Sequence, residues 1–338
     1  MALNTSNPDP CLVDSLGRVH TNLRISVTDR CNIRCFYCMP NEEVSFRPRE
    51  ELLSFEEIEK FVRALVPLGI DKLRLTGGEP LVRSNLPALV ARLSQVPGIN
   101  DLALTTNGLL LTDQASELRQ AGLHRLNISL DTLQEEKFHR ITRRTGLPKV
   151  LDGIYTAQRV GFQKIRINAV AIQGLTEDDV IPLAEFSRTH GLELRFIEFM
   201  PLDAENHWNA ESQLTGQTLR NILEKVYCPL VPSPRTDPSQ PAVDFQFADG
   251  KGNIGFINPV SEPFCKNCNR LRLTAEGQVC NCLFSTVEWD ARAILRESGS
   301  EQAIRQLVRD CVAAKQPAHG IGTVDFLKPQ RAMYQIGG

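Results

Sequence analysis

Residues 23–38 read Leu23-Arg-Ile-Ser-Val-Thr-Asp-Arg-Cys31-Asn-Ile-Arg-Cys35-Phe-Tyr-Cys38. A strand over 23–28 runs directly into a loop carrying three cysteines. Three thiolates in so short a loop can hold three irons of a four-iron cluster. The fourth iron is then left open to a small molecule. Thiolates do not by themselves choose between iron–sulfur and zinc. A structural zinc, however, takes four ligands in paired spacing, and no fourth ligand lies close to these three in the chain.

Downstream of this stretch the pattern repeats. Strands over 72–76, 102–106, 125–130, 164–172 and 193–199 alternate with helices over 55–66, 85–94, 112–121, 150–160 and 178–189. The first helix opens at Ser54, and Gly69, Gly122, Gly161 and Gly191 supply stops. Six strands separated by helices imply parallel pairing with right-handed crossovers. Six units are fewer than a closed barrel needs. The expectation is therefore an α/β fold, an incomplete TIM-like (βα)6 barrel with an open side. Its strand ends carry Thr76-Gly77-Gly78-Glu79-Pro80, Thr105-Thr106-Asn107-Gly108, Ser129-Leu130-Asp131 and Glu198-Phe199-Met200-Pro201. The C-terminal rim is where such barrels place their chemistry.

Beyond Tyr227 the composition changes. Pro229, Pro232, Pro234, Pro238 and Pro241 mark a surface linker. Short strands over 245–247, 255–257 and 271–273 and helices over 287–296 and 301–313 follow. The reading is an N-terminal segment, 1–20, a partial barrel, 21–230, and a C-terminal α+β extension, 231–338. A second thiol group lies in the extension, Cys265-Lys-Asn-Cys268 followed by Cys280 and Cys282. Its spacing suits a four-cysteine zinc site as well as an iron–sulfur site. Between the thiols, Arg270 and Arg272 share one face of a strand. Two adjacent guanidiniums suit a polyphosphate.

The formal net charge of the 338 residues is −2, so no global basic field attracts nucleic acid. Residues 1–10 lack a signal- or transit-peptide pattern. No apolar run reaches membrane-spanning length. These features read as a soluble, cytoplasmic protein, in which ten cysteines point to metal or catalysis rather than disulfides.

The Cys-x3-Cys-x2-Cys loop together with Gly77-Gly78-Glu79-Pro80 resembles the radical S-adenosylmethionine (SAM) enzymes. Within them, the chain resembles the GTP 3′,8-cyclase family of molybdenum cofactor biosynthesis. That likeness is carried by Arg24-Ile-Ser-Val-Thr-Asp-Arg-Cys31, Met39-Pro40, Arg74-Leu-Thr-Gly-Gly-Glu-Pro80, Thr105-Thr106-Asn107-Gly108, Ser129-Leu130-Asp131, Arg195-Phe-Ile-Glu-Phe-Met200, Cys265-x2-Cys268-Asn-Arg-Leu-Arg-Leu-Thr274, Cys282-Leu-Phe284 and Gly337-Gly338. The resemblance implies conversion of GTP to (8S)-3′,8-cyclo-7,8-dihydroguanosine 5′-triphosphate. It implies two [4Fe-4S] clusters, one on Cys31, Cys35 and Cys38 and one on Cys265, Cys268 and Cys282, the second carried by the extension. Around SAM it places Tyr37, Gly78, Ser129 and Met200. Around GTP it places Arg24, Lys72, Arg74, Thr105, Arg195, Arg270, Leu271 and Arg272, with Arg166 standing where the family usually has Lys. The tail glycines, Gly337 and Gly338, would reach into the site. An unidentified one-electron donor is implied, as is hand-over to the next pathway enzyme, cyclic pyranopterin monophosphate synthase. No membrane or nucleic-acid partner is expected, and the chain reads as a monomer or homodimer. The rivals are a peptide-modifying radical SAM enzyme with an auxiliary cluster and a zinc-dependent nucleic-acid-binding protein.

Overall fold

The computed structural model describes residues 11–40, 44–235, 237–297, 299–324 and 326–337. The readings of residues 1–10 and of Gly338 lie outside the described residues. From β1 (Asn22–Ser26) the chain enters α1 (Phe55–Leu65). The Ser54 hydroxyl accepts from the Glu57 amide while the Glu57 carboxylate accepts from the Ser54 amide. This reciprocal cap satisfies two otherwise orphaned donors. The alternation continues through β2 (Lys72–Thr76), α2 (Leu86–Ser94), β3 (Asp101–Thr106), α3 (Leu111–Gln120) and β4 (Arg125–Ser129). Two helices, α4 (Glu135–Thr142) and α5 (Leu147–Arg159), precede β5 (Ile165–Ala171). Then come α6 (Val180–Thr189), β6 (Glu193–Glu198) and α7 (Gly216–Val226). Gly122 and Gly161 end α3 and α5 at φ of +99° and +90°, a region that a side chain would make costly.

β1 to β6 lie side by side in chain order, all parallel. The C-terminal part adds strands to both edges. β9 (Asn253–Ile257) pairs parallel with β6, and β8 (Val243–Phe247) and β7 (Leu230–Pro232) continue antiparallel. At the other edge β10 (Arg270–Leu273) pairs parallel with β1, followed by β11 (Gln278–Cys280) and β12 (Trp289–Asp290). The outermost strands, β7 and β12, do not meet, so the twelve-stranded sheet remains an open barrel. α8 (Ala291–Arg296) and α9 (Glu301–Ala313) pack outside it, and α10 (Met333–Ile336) forms the tail.

The apolar residues of the strands face the helices. Leu23, Ile25, Leu73, Leu75, Leu102 and Leu104 belong to the buried core. Their alternates, among them Arg24, Arg74, Thr105 and Arg195, face the barrel interior and line its chamber. A closed eight-stranded barrel fills that interior with apolar side chains; here it is a polar cavity.

Beyond the short elements β7, β11, β12 and α10, which carry no clear pattern in the sequence, three helical regions differ from the sequence expectation. α4 has only two buried large apolar anchors, Phe138 and Ile141, too few to stand out as a periodic pattern. α7 was likewise not expected; it opens at Thr215, whose hydroxyl caps the Thr218 amide. The helix over 287–296 begins only at Ala291. Trp289 and Asp290 pair instead with β11, and Asp290 caps the helix.

Candidate active site

The first cysteine loop leaves the C-terminal end of β1. Backbone bonds from Cys38 and Met39 to the Cys35 carbonyl, both 2.9 Å, turn it tightly. α4 braces it from outside, since Arg34 and Phe36 donate to the carbonyls of Thr142 and Ile141. Gly78 and Glu79 donate to the carbonyls of Thr28 and Arg30. A Cβ on Gly78 would collide with the Arg30 backbone. Loop-to-loop packing is thus the first reason for glycine there. Asn107 Nδ2 lies 3.9 Å from Cys31 Sγ.

The second thiol group sits at the other end of the barrel. β10 runs parallel to β1 with Arg270 beside Asn22, so Cys265 and Cys268, just ahead of β10, lie at the N-terminal rim. β11 runs back antiparallel and brings Cys282 to the same rim. Cys282 faces the cavity, whereas Cys280 is fully buried in β11 and does not. Arg18, preceding β1, donates to the Cys265 carbonyl at 2.9 Å.

One chamber of about 930 Å³ connects the two ends. Cys31, Cys35, Cys38, Cys265, Cys268 and Cys282 all line it. So do Tyr37, Gly78, Ser129 and Met200, together with Arg24, Lys72, Arg74, Thr105, Arg166, Arg195, Arg270 and Arg272. Leu271 is the exception: strand alternation buries its side chain in the core, and it does not reach the chamber. Gly337 is not part of the wall either. It is wedged against Ser26 and Thr76 at the ends of β1 and β2, its carbonyl accepts from Arg272, and Met333 and Tyr334 of the same tail do line the chamber.

Charge is unevenly distributed along this chamber, the acids of its cationic end, Asp101 and Asp237, being paired with Arg125 and Lys72. Every Lys or Arg in its wall lies in the first three positions of a strand, or just before one in the case of Lys164. Arg24 stands in register beside Arg74 on one side and Arg272 on the other. Like charges directly across strands oppose folding. Burial, and then Arg272, Arg74 and Arg270, hold the Arg24 pKa well below its ordinary value. Burial followed by Arg125, Arg166 and Arg195 does the same to Arg74. Lys72 pairs with Asp237 at 2.6 Å, Arg195 with Asp244 at 3.2 Å, and Arg166 with Glu193. Arg24, Arg74, Arg270 and Arg272 have no carboxylate partner among the described residues. Arg24 Nε and Thr105 Oγ1 are buried without a hydrogen-bond partner among the described residues. These orphaned atoms fit an anion with many acceptor oxygens.

The carboxylates Glu79, Asp131 and Glu198 occupy the opposite end, at or beyond strand termini. Burial raises Glu79 to about 7 and Asp131 to about 6. Asp131 accepts from the Tyr37 hydroxyl at 2.6 Å and the Val170 amide at 2.8 Å. The thiols follow this division at Cys268 but not at Cys265, which burial raises. Burial and then Glu79 raise Cys31 to about 11, and burial raises Cys35 and Cys38 as well. Cys268 is held at about 6: burial opposes this, but Arg270 and Lys315 outweigh it. No three His, Cys, Asp or Glu side chains among the described residues converge as a single metal ion needs. Neither loop is therefore arranged as a mononuclear zinc site, whereas two sets of three thiols facing a large cavity have the donor chemistry for iron–sulfur clusters.

Sequence reasoning missed Arg125, which pairs with Asp101, and Lys315. The alternation of Arg125, Asn127 and Ser129 on one strand face carried a signal for the first. Nothing in the sequence around Lys315 singles it out.

A partial parallel barrel with a three-cysteine loop after its first strand defines a radical SAM protein, and residues 25–187 match the Radical SAM superfamily while residues 192–321 match Molybdenum Cofactor Synthesis C. Over 338 residues the chain is 48% identical to a GTP 3′,8-cyclase of Rhodopirellula baltica, covering 99% of this chain and 94% of that one. It is 43% identical to a GTP 3′,8-cyclase of Pelotomaculum thermopropionicum, covering 96% and 99%. The chain belongs to the GTP 3′,8-cyclase family. Streptococcus suis SuiB bound to S-adenosylmethionine shares the fold, with a TM-score of 0.61 at 16% identity over 86% of this chain and 68% of that one. No helix among the described residues is long and apolar enough to cross a membrane.

Proposed function

We propose that this chain converts GTP to (8S)-3′,8-cyclo-7,8-dihydroguanosine 5′-triphosphate, a lyase-class reaction that forms a carbon–carbon bond between C3′ of the ribose and C8 of guanine. The observation that carries the reading is the in-register row Arg272, Arg24, Arg74, set between two thiol triads in one chamber. Cys31, Cys35 and Cys38 would hold one [4Fe-4S] cluster, and Cys265, Cys268 and Cys282 a second. When bound, the first supplies the electron that splits SAM into methionine and a 5′-deoxyadenosyl radical.

The protein's own residues supply position and charge. SAM carries a sulfonium and an ammonium, and the end lined by Glu79, Asp131 and Glu198 offers it negative charge. Gly78 and Ser129 line that end, and the hydroxyl of Tyr37 is fixed by Asp131. Met200 closes the wall beside them. The triphosphate of GTP suits the cationic end, where each guanidinium can bind two phosphate oxygens. Lys72, Arg166 and Arg195 are already held in place by carboxylates, while Arg24, Arg74, Arg270 and Arg272 await an anion. Thr105 offers its unpartnered hydroxyl. Held this way, the ribose lies between the two ends, where the radical must act. Such a radical attacks almost any C–H bond, so fixed placement and exclusion of water are the protein's main contribution. Gly337 of the tail lies against the Ser26 and Thr76 strand ends, its carbonyl accepting from Arg272, and Gly338 would act beside it.

Anaerobic incubation of the reconstituted protein with SAM, GTP and a chemical reductant, followed by mass analysis, tests the reading. The expected products are an isomer of GTP, methionine and 5′-deoxyadenosine. Deoxyadenosine formed beside unaltered GTP would overturn the substrate assignment. Gly337 sits at φ +78°, and a Cβ there would strike Thr76. Gly337→Ala is expected to lose cyclisation while SAM cleavage continues, and full cyclisation by this variant would remove the tail from the mechanism.

A further inference from the structure

Lys315 lies just beyond α9, its amide donating to the Val312 carbonyl at 3.0 Å. Only 5% of the residue is exposed. Its ammonium donates to the Arg270 carbonyl at 2.9 Å and to Cys268 Sγ at 3.4 Å. It pairs with no carboxylate among the described residues. A lysine is almost never buried so deeply without a counter-charge. Here the available counter-charge is the sulfur itself. Arg270 Nη2 approaches the same sulfur at 3.4 Å, so Cys268 is faced by two cationic donors. In the first cysteine loop the donors to sulfur are neutral: the Asn107 amide and the Ile33 backbone at Cys31, Tyr37 at Cys35 and the Tyr334 backbone at Cys38. Arg270 has a second duty facing the cavity, but Lys315 is not among the residues lining the chamber. Among the described residues, the hydrogen-bond partners of its ammonium are the sulfur and the first carbonyl of β10.

We propose that Lys315 is a positioning residue that sets the reduction potential of the cluster carried by Cys265, Cys268 and Cys282 and helps to retain it. The inference rests on the second-cluster reading above. An N–H···S bond and an adjacent positive charge stabilise the more negative, reduced state of a cluster, and so raise its potential. The second bond, to the Arg270 carbonyl, fixes the ammonium against the start of the strand that follows Cys268.

The test is a redox titration of the reconstituted full chain followed by electron paramagnetic resonance. A Cys31→Ala/Cys35→Ala/Cys38→Ala chain identifies the C-terminal signal. In Lys315→Met the reduction equilibrium of that cluster is expected to fall about tenfold or more, about 59 mV for one electron. Lys315→Arg is expected to stay near the native value, and the N-terminal signal should not move in either variant. Loss of half the iron in the Met variant, with retention in the Arg variant, supports the same role. An unmoved midpoint in Lys315→Met with its iron intact overturns the inference. So does an equal shift, or equal iron loss, in the Met and Arg variants. If the triple-alanine chain with native Lys315 holds no iron at all, the second-cluster reading itself has failed, an outcome distinct from the others.

Discussion

The two ends of the chamber use the same three-thiol arrangement in opposite electrostatic surroundings. At the C-terminal rim the thiols lie near buried acids, and Cys31 is pushed up to about 11. At the N-terminal rim Cys268 is drawn down to about 6 by Arg270 and Lys315, against its burial. The side chains between them follow suit, acids raised at one end and guanidiniums lowered at the other. Each end is strained in the ligand-free protein in the sense its own ligand would relieve. Under the proposed function, a cationic molecule would settle one and a polyanion the other. The difference teaches that two like sets of thiols in one chamber can be given unlike surroundings by the side chains around them, without any change in the thiols themselves.

The largest effects come from dismantling one end at a time. Cys31→Ala/Cys35→Ala/Cys38→Ala should remove half the iron and abolish both SAM cleavage and cyclisation. Cys265→Ala/Cys268→Ala/Cys282→Ala should remove the other half, abolish cyclisation and leave SAM cleavage in place. Iron analysis and product quantification check both. Equivalent losses from the two variants would mean that the ends do not divide the work.

The fold was legible because the helix stops and the strand–helix period are local signals. Ser54 with Glu57 and the glycines at 69, 122, 161 and 191 mark boundaries without reference to the rest of the chain. The division of the site was not legible. It depends on β10 joining β1 in parallel, a contact between residues about 250 apart in the chain, and no local pattern encodes it. Strand-end motifs point to the C-terminal rim alone; a second cluster at the opposite mouth of the same chamber follows only from the family resemblance, not from any local pattern. Leu271 lies between two arginines of the chamber wall, but alternation turns its side chain to the opposite face, which leaves only its backbone toward the chamber. Cys280 and Cys282 could not be ranked by spacing, because their separation from Cys268 is nearly the same. Their placement on β11 and after it separates them.

A middle-sized effect sharpens the cationic half. Arg24 carries the centre of the row, with no carboxylate partner and no partner for its Nε among the described residues. Arg24→Met removes a like-charge contact from the ligand-free protein and a charge-assisted contact from the GTP complex. Replacing a buried charge by an apolar side chain is often neutral or stabilising. Loss of a hydrogen bond to a charged group costs about 1.5–3 kcal/mol, which corresponds to about 10- to 150-fold weaker GTP binding. The variant should therefore bind GTP more weakly and resist denaturant at least as well as the native protein. Equilibrium dialysis and chemical unfolding measure the two. A clear loss of stability with unchanged GTP affinity would make Arg24 a structural residue.

The smallest effect tests the acidic half. Glu79 is almost fully buried and accepts from the Thr106 hydroxyl at 2.6 Å, the Asn107 amide at 2.7 Å and the Leu81 amide at 3.0 Å. Burial nevertheless raises its pKa from 4.5 to about 7. A raised acid favours its protonated form in the fold. Its contribution to stability is whole below about pH 4.5 and is lost as pH rises through about 7. Glu79→Gln cannot titrate, so its stability profile across that window should be flatter than that of the native protein. The amide cannot satisfy all three donors, so the variant also carries a constant cost of about 1–3 kcal/mol. Denaturant unfolding of the metal-free chain at several pH values separates slope from offset. Parallel native and variant profiles would show that Glu79 is already ionised throughout, and the electrostatic contrast between the two ends would then rest on the arginines alone.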